Sequence, residues 1–358
     1  MTLNVCYLRR SPERNEHALV RLRKWWRMPQ QQDAFFEQSL RAGCTVTTLA
    51  APWLRRLPRR WLHRFDALVV NAKALGDWWG DPAYVRAMLD RFPGPRALFL
   101  GSAHPAHMPA EGVADAFDLL LKREPYGDPE RYPLRAENRD KIRPTLAGCP
   151  FGGPEEGPGC SEPEAGKQHD VFFAGRVNEA NDVREQVWSR IVASELNARG
   201  GLQPRPRAEA EVPETLRGPR IKGAGYREAI CRARINLALD GYGPVTARHL
   251  ELWQAKAFMV SAPSLRAIWL HEMPVEGQDY VAFDDYDDLV ELLRAYLKAP
   301  EARRRIALAG GAYFDRLYDP VRHGQMLANW LQHPGTAEAA APARPAFNAG
   351  SDAASSEA

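Results

Sequence analysis

No run of about 18 uncharged apolar residues, the minimum for a membrane-spanning helix, occurs anywhere in the 358-residue chain. The opening MTLNVCYLRR lacks the apolar stretch and cleavage site of a secretory signal, so a cytoplasmic protein is expected. Cysteine is sparse: Cys6, Cys44, Cys149, Cys160 and Cys231 make five, an odd number, with neither a CxxC nor a paired Cys/His spacing. Free thiols and no zinc are the expectation. Nor does one sign of charge dominate, since 48 Lys and Arg face 45 Asp and Glu for a net charge of +3. With 45% hydrophobic residues, that balance describes an ordinary globular chain, excludes fibrous and wholly disordered classes, and gives no reason to expect a nucleic-acid partner. A chain of this length suits two domains of roughly 150 residues, each burying its own core.

What is present is an alternation. LNVCYL (3–8), TVTTLA (45–50), DALVVNA (66–72), RALFLGS (96–102) and DLLLKRE (118–124) read as buried strands, and DAFFEQSLRAG (33–43) and PAYVRAMLDRF (82–92) between them have helical spacing. Strand and helix alternating at this interval imply a parallel sheet with crossover helices. Residues 148–168 are dense in Gly, Pro and Glu without a periodic apolar face, which marks a linker or surface loop. The alternation restarts with DVFFAGR (170–176), RINLALD (234–240), KAFMVSA (256–262) and DYVAFD (279–284), with helical segments near 182–198, 226–233 and 247–256. The expected organisation is an N-terminal domain over 1–147, the linker, a C-terminal domain over 169–333, and a disordered Ala/Pro/Ser tail over 334–358.

Two stretches carry chemistry. In DVFFAGRVNEANDVREQ a strand ends in Gly175-Arg176 and a helix follows. Helix-start amides, a glycine that permits close approach and an arginine that forks two hydrogen bonds together suit a phosphate. In the second stretch, the strand 234–240 runs into Gly241-Tyr242-Gly243-Pro244, and a helix capped by Thr246 brings Arg248 and Glu251, three residues apart, onto one face. By spacing alone a solvated i,i+3 salt bridge is the favoured reading of that pair.

The order FFAGR, Arg184, Tyr226 and Cys231, the run Asn236-Leu237-Ala238, RHLE, AFMVS, EGQDYVAFDDYDDL and PEARRRIALAGGAYF spans most of the second half. Over residues 170–318 the chain resembles the C-terminal domain of bacterial group 1-like glycosyltransferases of the spore-maturation-protein type, and more distantly the exostosin family. The first half resembles them chiefly in DLLLKREPYGD (118–128). The resemblance implies an α/β, GT-B-like fold: two doubly wound Rossmann-like domains facing across a cleft. A nucleotide-diphosphate sugar would be the donor, held by the C-terminal domain, and a glycan or lipid-linked hydroxyl the acceptor, held mainly by the N-terminal one. It implies a hexosyltransferase-like, metal-independent reaction with no cofactor beyond the sugar nucleotide. Glu251 corresponds to a ribose-binding glutamate, and Gly175 and Arg176 lie at the diphosphate position. Arg184, Tyr226, Gly241, Gly243, Thr246 and Arg248 complete the expected donor set. The retaining pattern of two glutamates eight residues apart is absent, because Gly243 stands eight before Glu251, so the stereochemical outcome stays open. A sugar-nucleotide epimerase of the same fold and a non-catalytic binding module are the alternatives.

Candidates for a catalytic base are His104 and His107, after an N-domain strand, and Glu124, at the end of DLLLKRE. Asp285 and Asp287 make a DxD, read here as a helix start rather than a metal site. Trp25-Trp26 and Trp78-Trp79 suit sugar stacking or core packing. Residues 1–64 hold thirteen Lys and Arg against four acids. RLRKWWR (21–27) and WLRRLPRRWLHR (53–64) have the composition of a peripheral contact with an anionic membrane or an anionic acceptor.

Overall fold

A computed structural model of the protein describes residues 2–9, 33–50, 54, 56–76, 81–146, 148, 160, 164, 166–177, 182–204 and 212–335. The two tryptophan pairs, RLRKWWR, most of the linker and nearly all of the tail lie outside these residues. The chain divides into two compact units: unit 1 is Met1–Gly148, Ala267–His271 and Asp319–Ala358, and unit 2 is Cys149–Arg266 and Glu272–Tyr318.

The apolar runs of the first half are strands, and all but the edge strand Cys44–Ala50 are buried on both faces, as the interior of a parallel sheet requires. β1 (Leu3–Arg9), β2 (Cys44–Ala50), β3 (Ala67–Asn71), β4 (Arg96–Leu100), β5 (Leu119–Arg123) and β6 (Ile142–Thr145) pair in the order β2-β1-β3-β4-β5-β6, with every pairing parallel. α1 (Ala34–Gly43) turns Phe36 and Leu40 onto the sheet, where Phe36 stacks on Phe99 at 3.8 Å between ring centres. α2 (Pro82–Leu89) starts where Asp81 accepts a hydrogen bond from the Tyr84 amide, with proline in the first turn, where its missing N–H costs nothing.

Unit 2 repeats the scheme with β7 (His169–Arg176), α3 (Val183–Ala193), β8 (Ala198–Gln203), α4 (Gly223–Arg232), β9 (Ala233–Ala238), α5 (Ala247–Gln254), β10 (Met259–Ser261), β11 (Val281–Ala282), α6 (Leu289–Leu297) and α7 (Pro300–Leu317). Its parallel strands run in the order β11-β10-β9-β7-β8. The connection reverses direction at β7, and such a switch point opens a crevice at the carboxyl ends of the strands. Cys160 and Cys231 form a disulfide, which corrects the expectation of free thiols: the segment ahead of β7 folds back onto α4 and brings two cysteines 71 residues apart to a Cα separation of 5.3 Å. Cys6 and Cys44 are free and buried.

The last helix, α8 (Pro320–Gln332), corrects the expected domain boundary at 333, because it belongs to unit 1. Leu327, Trp330 and Leu331 join the core that Val5, Tyr7, Phe36 and Leu121 build on the first sheet. Two glycines let α8 lie directly on α1: a Cβ at Gly324 would stand 2.2 Å from the Ser39 carbonyl oxygen, and one at Gly43 would stand 2.0 Å from the Gly324 carbonyl oxygen. His323, fully buried on the same helix, hydrogen-bonds through Nε2 to Thr145 Oγ1 at 3.0 Å. Backbone contact of this kind leaves no slack. Gly324→Ala is expected to destabilise the protein by about 1–3 kcal/mol, the usual cost of overpacking, read as a lowered Tm; an unchanged Tm would show that α8 is not seated on α1 as described.

Candidate functional site

The carboxyl end of β7 opens into a pocket of about 470 Å³. Ala174, Gly175 and Arg176 form its floor, with Gln203, Ile221, Lys222, Tyr226, Arg248 and Glu251 around it. Gly175 is glycine because a Cβ there would meet the Phe173 ring at 2.7 Å. Of the residues singled out from sequence, Gly175, Arg176, Tyr226, Arg248 and Glu251 are brought together here. Gln203, Ile221 and Lys222 were missed, since β8 and the segment before α4 carry no motif.

Arg248 sets the geometry. Its guanidinium carbon lies 5.4 Å from the centre of the Phe173 ring and 4.9 Å from that of Tyr226. One Nη donates to the Ala174 carbonyl. Nε stands 3.8 Å from Glu251 Oε2, too far for a hydrogen bond, and both side chains are more than four-fifths shielded, at 15% and 18% exposure. The pair is therefore not the solvated surface salt bridge that its spacing favoured. Glu251 Oε2 accepts a hydrogen bond from the Tyr226 hydroxyl at 2.7 Å. Burial pushes the Glu251 carboxyl above its ordinary range, against the pull of Arg248 and the Tyr226 hydroxyl. Burial likewise raises the Tyr226 phenol, so it remains a donor. Buried atoms Nε and Nη1 of Arg248 have no hydrogen-bond partner in the protein.

Arg184 lies behind this group. It donates to the Arg176 carbonyl at 2.6 Å, and its buried Nε is also unmatched. Burial and the neighbouring Arg248 lower it to about 10, while Asp240 opposes the shift. Asp240, just past β9, accepts from Ser264 Oγ at 2.5 Å, and burial raises it to about 6 despite Ser264 and Arg184. Sequence reading missed Asp240, which belongs to no motif. Gly241 lets the loop pass Arg184, whose Nη2 would lie 3.2 Å from an added Cβ, and its amide is held by the Gly243 carbonyl at 3.0 Å. Thr246 caps α5 in a reciprocal capping box with His249, which also bonds Ser261 Oγ at 3.0 Å. Burial depresses His249 to about 3, so it is a neutral strut. Gly241, Gly243 and Thr246 thus shape the loop and helix start and do not line the pocket.

The remaining candidates lie elsewhere. His104, His107 and Glu124 belong to unit 1, around the carboxyl ends of β4 and β5. Asp285 Oδ1 accepts from the amides of Asp287 and Asp288 at 2.8 and 2.9 Å, directly before α6. Among the described residues no group of three His, Cys, Asp or Glu is placed to hold a metal, and no helix is long and apolar enough to cross a membrane. Around the single helical turn Arg59–Leu62, Arg59, Arg60 and Arg64 are exposed.

Two doubly wound parallel units are the fold of the GT-B glycosyltransferases. A family profile described as glycosyl transferase-like matches residues 173–340, just under half of the chain. Among solved structures the chain is similar to Anabaena HepE in complex with UDP and glucose, with a TM-score of 0.54 and 13% identity over 92% of this chain and 99% of that one. The UDP-glucose complex of HepE gives a TM-score of 0.53 and 10% identity over the same shares of the two chains. No curated protein matches the sequence.

Asp240 gives the site a pH signature. A carboxyl near 3.9 when unfolded and raised to about 6 in the fold contributes stability that is fully present below about pH 4 and is lost as pH rises through 6. Asp240→Asn removes that loss. Thermal unfolding of the two proteins is expected to diverge between pH 4.5 and 7.5, the variant gaining about 2 kcal/mol relative to the parent; parallel curves would mean that Asp240 titrates normally.

Proposed function

We propose that the protein transfers a glycosyl group from a nucleotide-diphosphate sugar to an acceptor hydroxyl, with the donor held in the unit 2 pocket. The observation that carries this reading is Arg248 on the pocket wall, whose Nε and Nη1 are buried and unmatched beside a shielded carboxylate. Leaving buried N–H groups unmatched is costly, and a diphosphate in the pocket would supply acceptors for those of Arg248. Glu251, with Oε2 already engaged by Tyr226, is suited to take the ribose hydroxyls. The Arg248 charge stabilises the diphosphate as it leaves. The similarity to a sugar-nucleotide-bound transferase fold and the glycosyl transferase-like match over 173–340 support the class. The narrower kinship with spore-maturation-type enzymes and transfer of a hexose belong to the same proposal.

Donor binding tests it. Glu251→Ala removes hydrogen bonds to a charged acceptor, worth about 1.5–3 kcal/mol each, so the Kd for the sugar nucleotide is expected to rise roughly ten- to a hundredfold in a folded variant. An unchanged Kd would remove Glu251 from the ribose role.

The leaving group is neutralised by arginine in this reading, so metal is not needed. Activity is expected to survive EDTA. Loss with chelator and recovery with manganese or magnesium would instead demand a metal route.

A further inference from the structure

Unit 1 contains a second pocket, of about 460 Å³, that the donor reading leaves unused. It lies at the carboxyl edge of the first sheet, over the loops after β3 and β4, which is where doubly wound sheets receive ligands. Lys73, His107 and Arg123 form its polar side, and Leu100 and Ala103 contribute apolar surface. A size of this order suits a small organic ligand.

Among the described residues, basic side chains outnumber carboxylates around it. Lys73 Nζ lies 3.3 Å from Asp33 Oδ1, and Arg123 Nε lies 3.0 Å from Glu124 Oε1, so each of these cations has one buried carboxylate. Lys122 is the third cation and the surplus one. Its side chain is fully buried beneath the pocket, where Nζ donates to the backbone carbonyls of Ser102 at 2.8 Å and Arg123 at 2.9 Å, both lining residues. Among the described residues no carboxylate lies within ion-pair distance of it. Burial depresses Lys122 to about 7, against Glu124 and with Arg123. His107, close enough to feel Lys122 and His104, is lowered by burial and by both, and so stays neutral.

Backbone strain fixes the arrangement. Glu124 has φ 46°, a left-handed conformation that a residue with a side chain adopts at a cost, and both carboxylate oxygens are buried without a hydrogen bond, meeting Arg123 through charge alone. A strained, buried Lys-Arg-Glu run at a strand's carboxyl end, whose lysine meets no carboxylate within ion-pair distance among the described residues, is the kind of site where a ligand oxyanion would hold the lysine protonated and supply its counter-charge.

We propose that the unit 1 pocket binds a sugar-sized ligand through an oxyanion, either a carboxylate or a phosphate ester, held between Lys73 and Arg123 over the buried Lys122. That this ligand is the acceptor of the transfer rests on the function proposed above; that the pocket selects an oxyanion does not. Lys122 acts here as a positioning residue, through its charge and through the two carbonyls that it orders.

Calorimetric titration of the full chain without nucleotide tests the proposal, using a hexuronate, a hexose 6-phosphate and the neutral hexose. At least one of the two anions is expected to bind ten or more times tighter than the neutral sugar, and which of them binds identifies the oxyanion. Lys122→Met, which removes the charge and keeps an unbranched side chain one atom shorter, is expected to abolish most of that preference. Lys73→Gln, at the rim, should weaken the anion in the same direction and serves if the methionine variant melts early. Equal affinity for charged and neutral sugars, no binding of any of the three, or a preference unchanged in both variants would overturn the proposal. Titration with UDP on the same preparations reports on the donor reading separately: UDP binding that persists in both variants leaves that reading standing whichever way the sugars fall.

Discussion

Where Arg248 places its guanidinium decides the rest of the unit 2 pocket. One side chain ties together the end of β7, through the Ala174 carbonyl and the Phe173 ring, the helix α4, through the Tyr226 ring, and the helix α5 on which it stands. Contact between a cation and an aromatic face is worth about 2 kcal/mol when desolvated, less than the cost of removing the charge from water. The arginine is thus held in a state that its own contacts do not fully satisfy. An anion bound there, as proposed, would not spend binding energy on fixing the receptor.

Much of this was legible in the sequence, and the failures have physical causes. The central strands announce themselves as uninterrupted apolar runs because both of their faces are buried. β6 and β8 do not, and both are edge strands: β6 reads Ile-Arg-Pro-Thr, with a proline that an interior strand would reject, and β8 reads Ala-Arg-Gly-Gly-Leu-Gln, with Gly200 and Gly201 at φ 109° and 134°. The placement of α8 was illegible for a different reason. Its amphipathic pattern says that one face is buried but not against what, and the answer lies almost 300 residues upstream in α1.

The site shows the same division. Arg248 and Glu251 share a helix face at a spacing that cannot separate a surface ion pair from a ligand clamp; only the rings of Phe173 and Tyr226, from other elements, shield them. Asp240 and Lys122 lie at strand ends whose sequence gives neither a charge-specific role, and each becomes notable because folding buries it beside like or opposite charge. Local periodicity is encoded locally, whereas the environment of a charge is set by distant parts of the chain.

The return of α8 to unit 1 has a consequence for biosynthesis. Chains leave the ribosome from the N-terminus, and N-terminal domains ordinarily fold first. Here the first 148 residues emerge without Leu327, Trp330 and Leu331, the part of their core that the last helix supplies. Unit 2, whose residues end at Tyr318, is complete before unit 1 is. The order of maturation is therefore inverted, with the later-encoded unit able to close first and the opening sheet holding an uncovered apolar face until α8 has emerged.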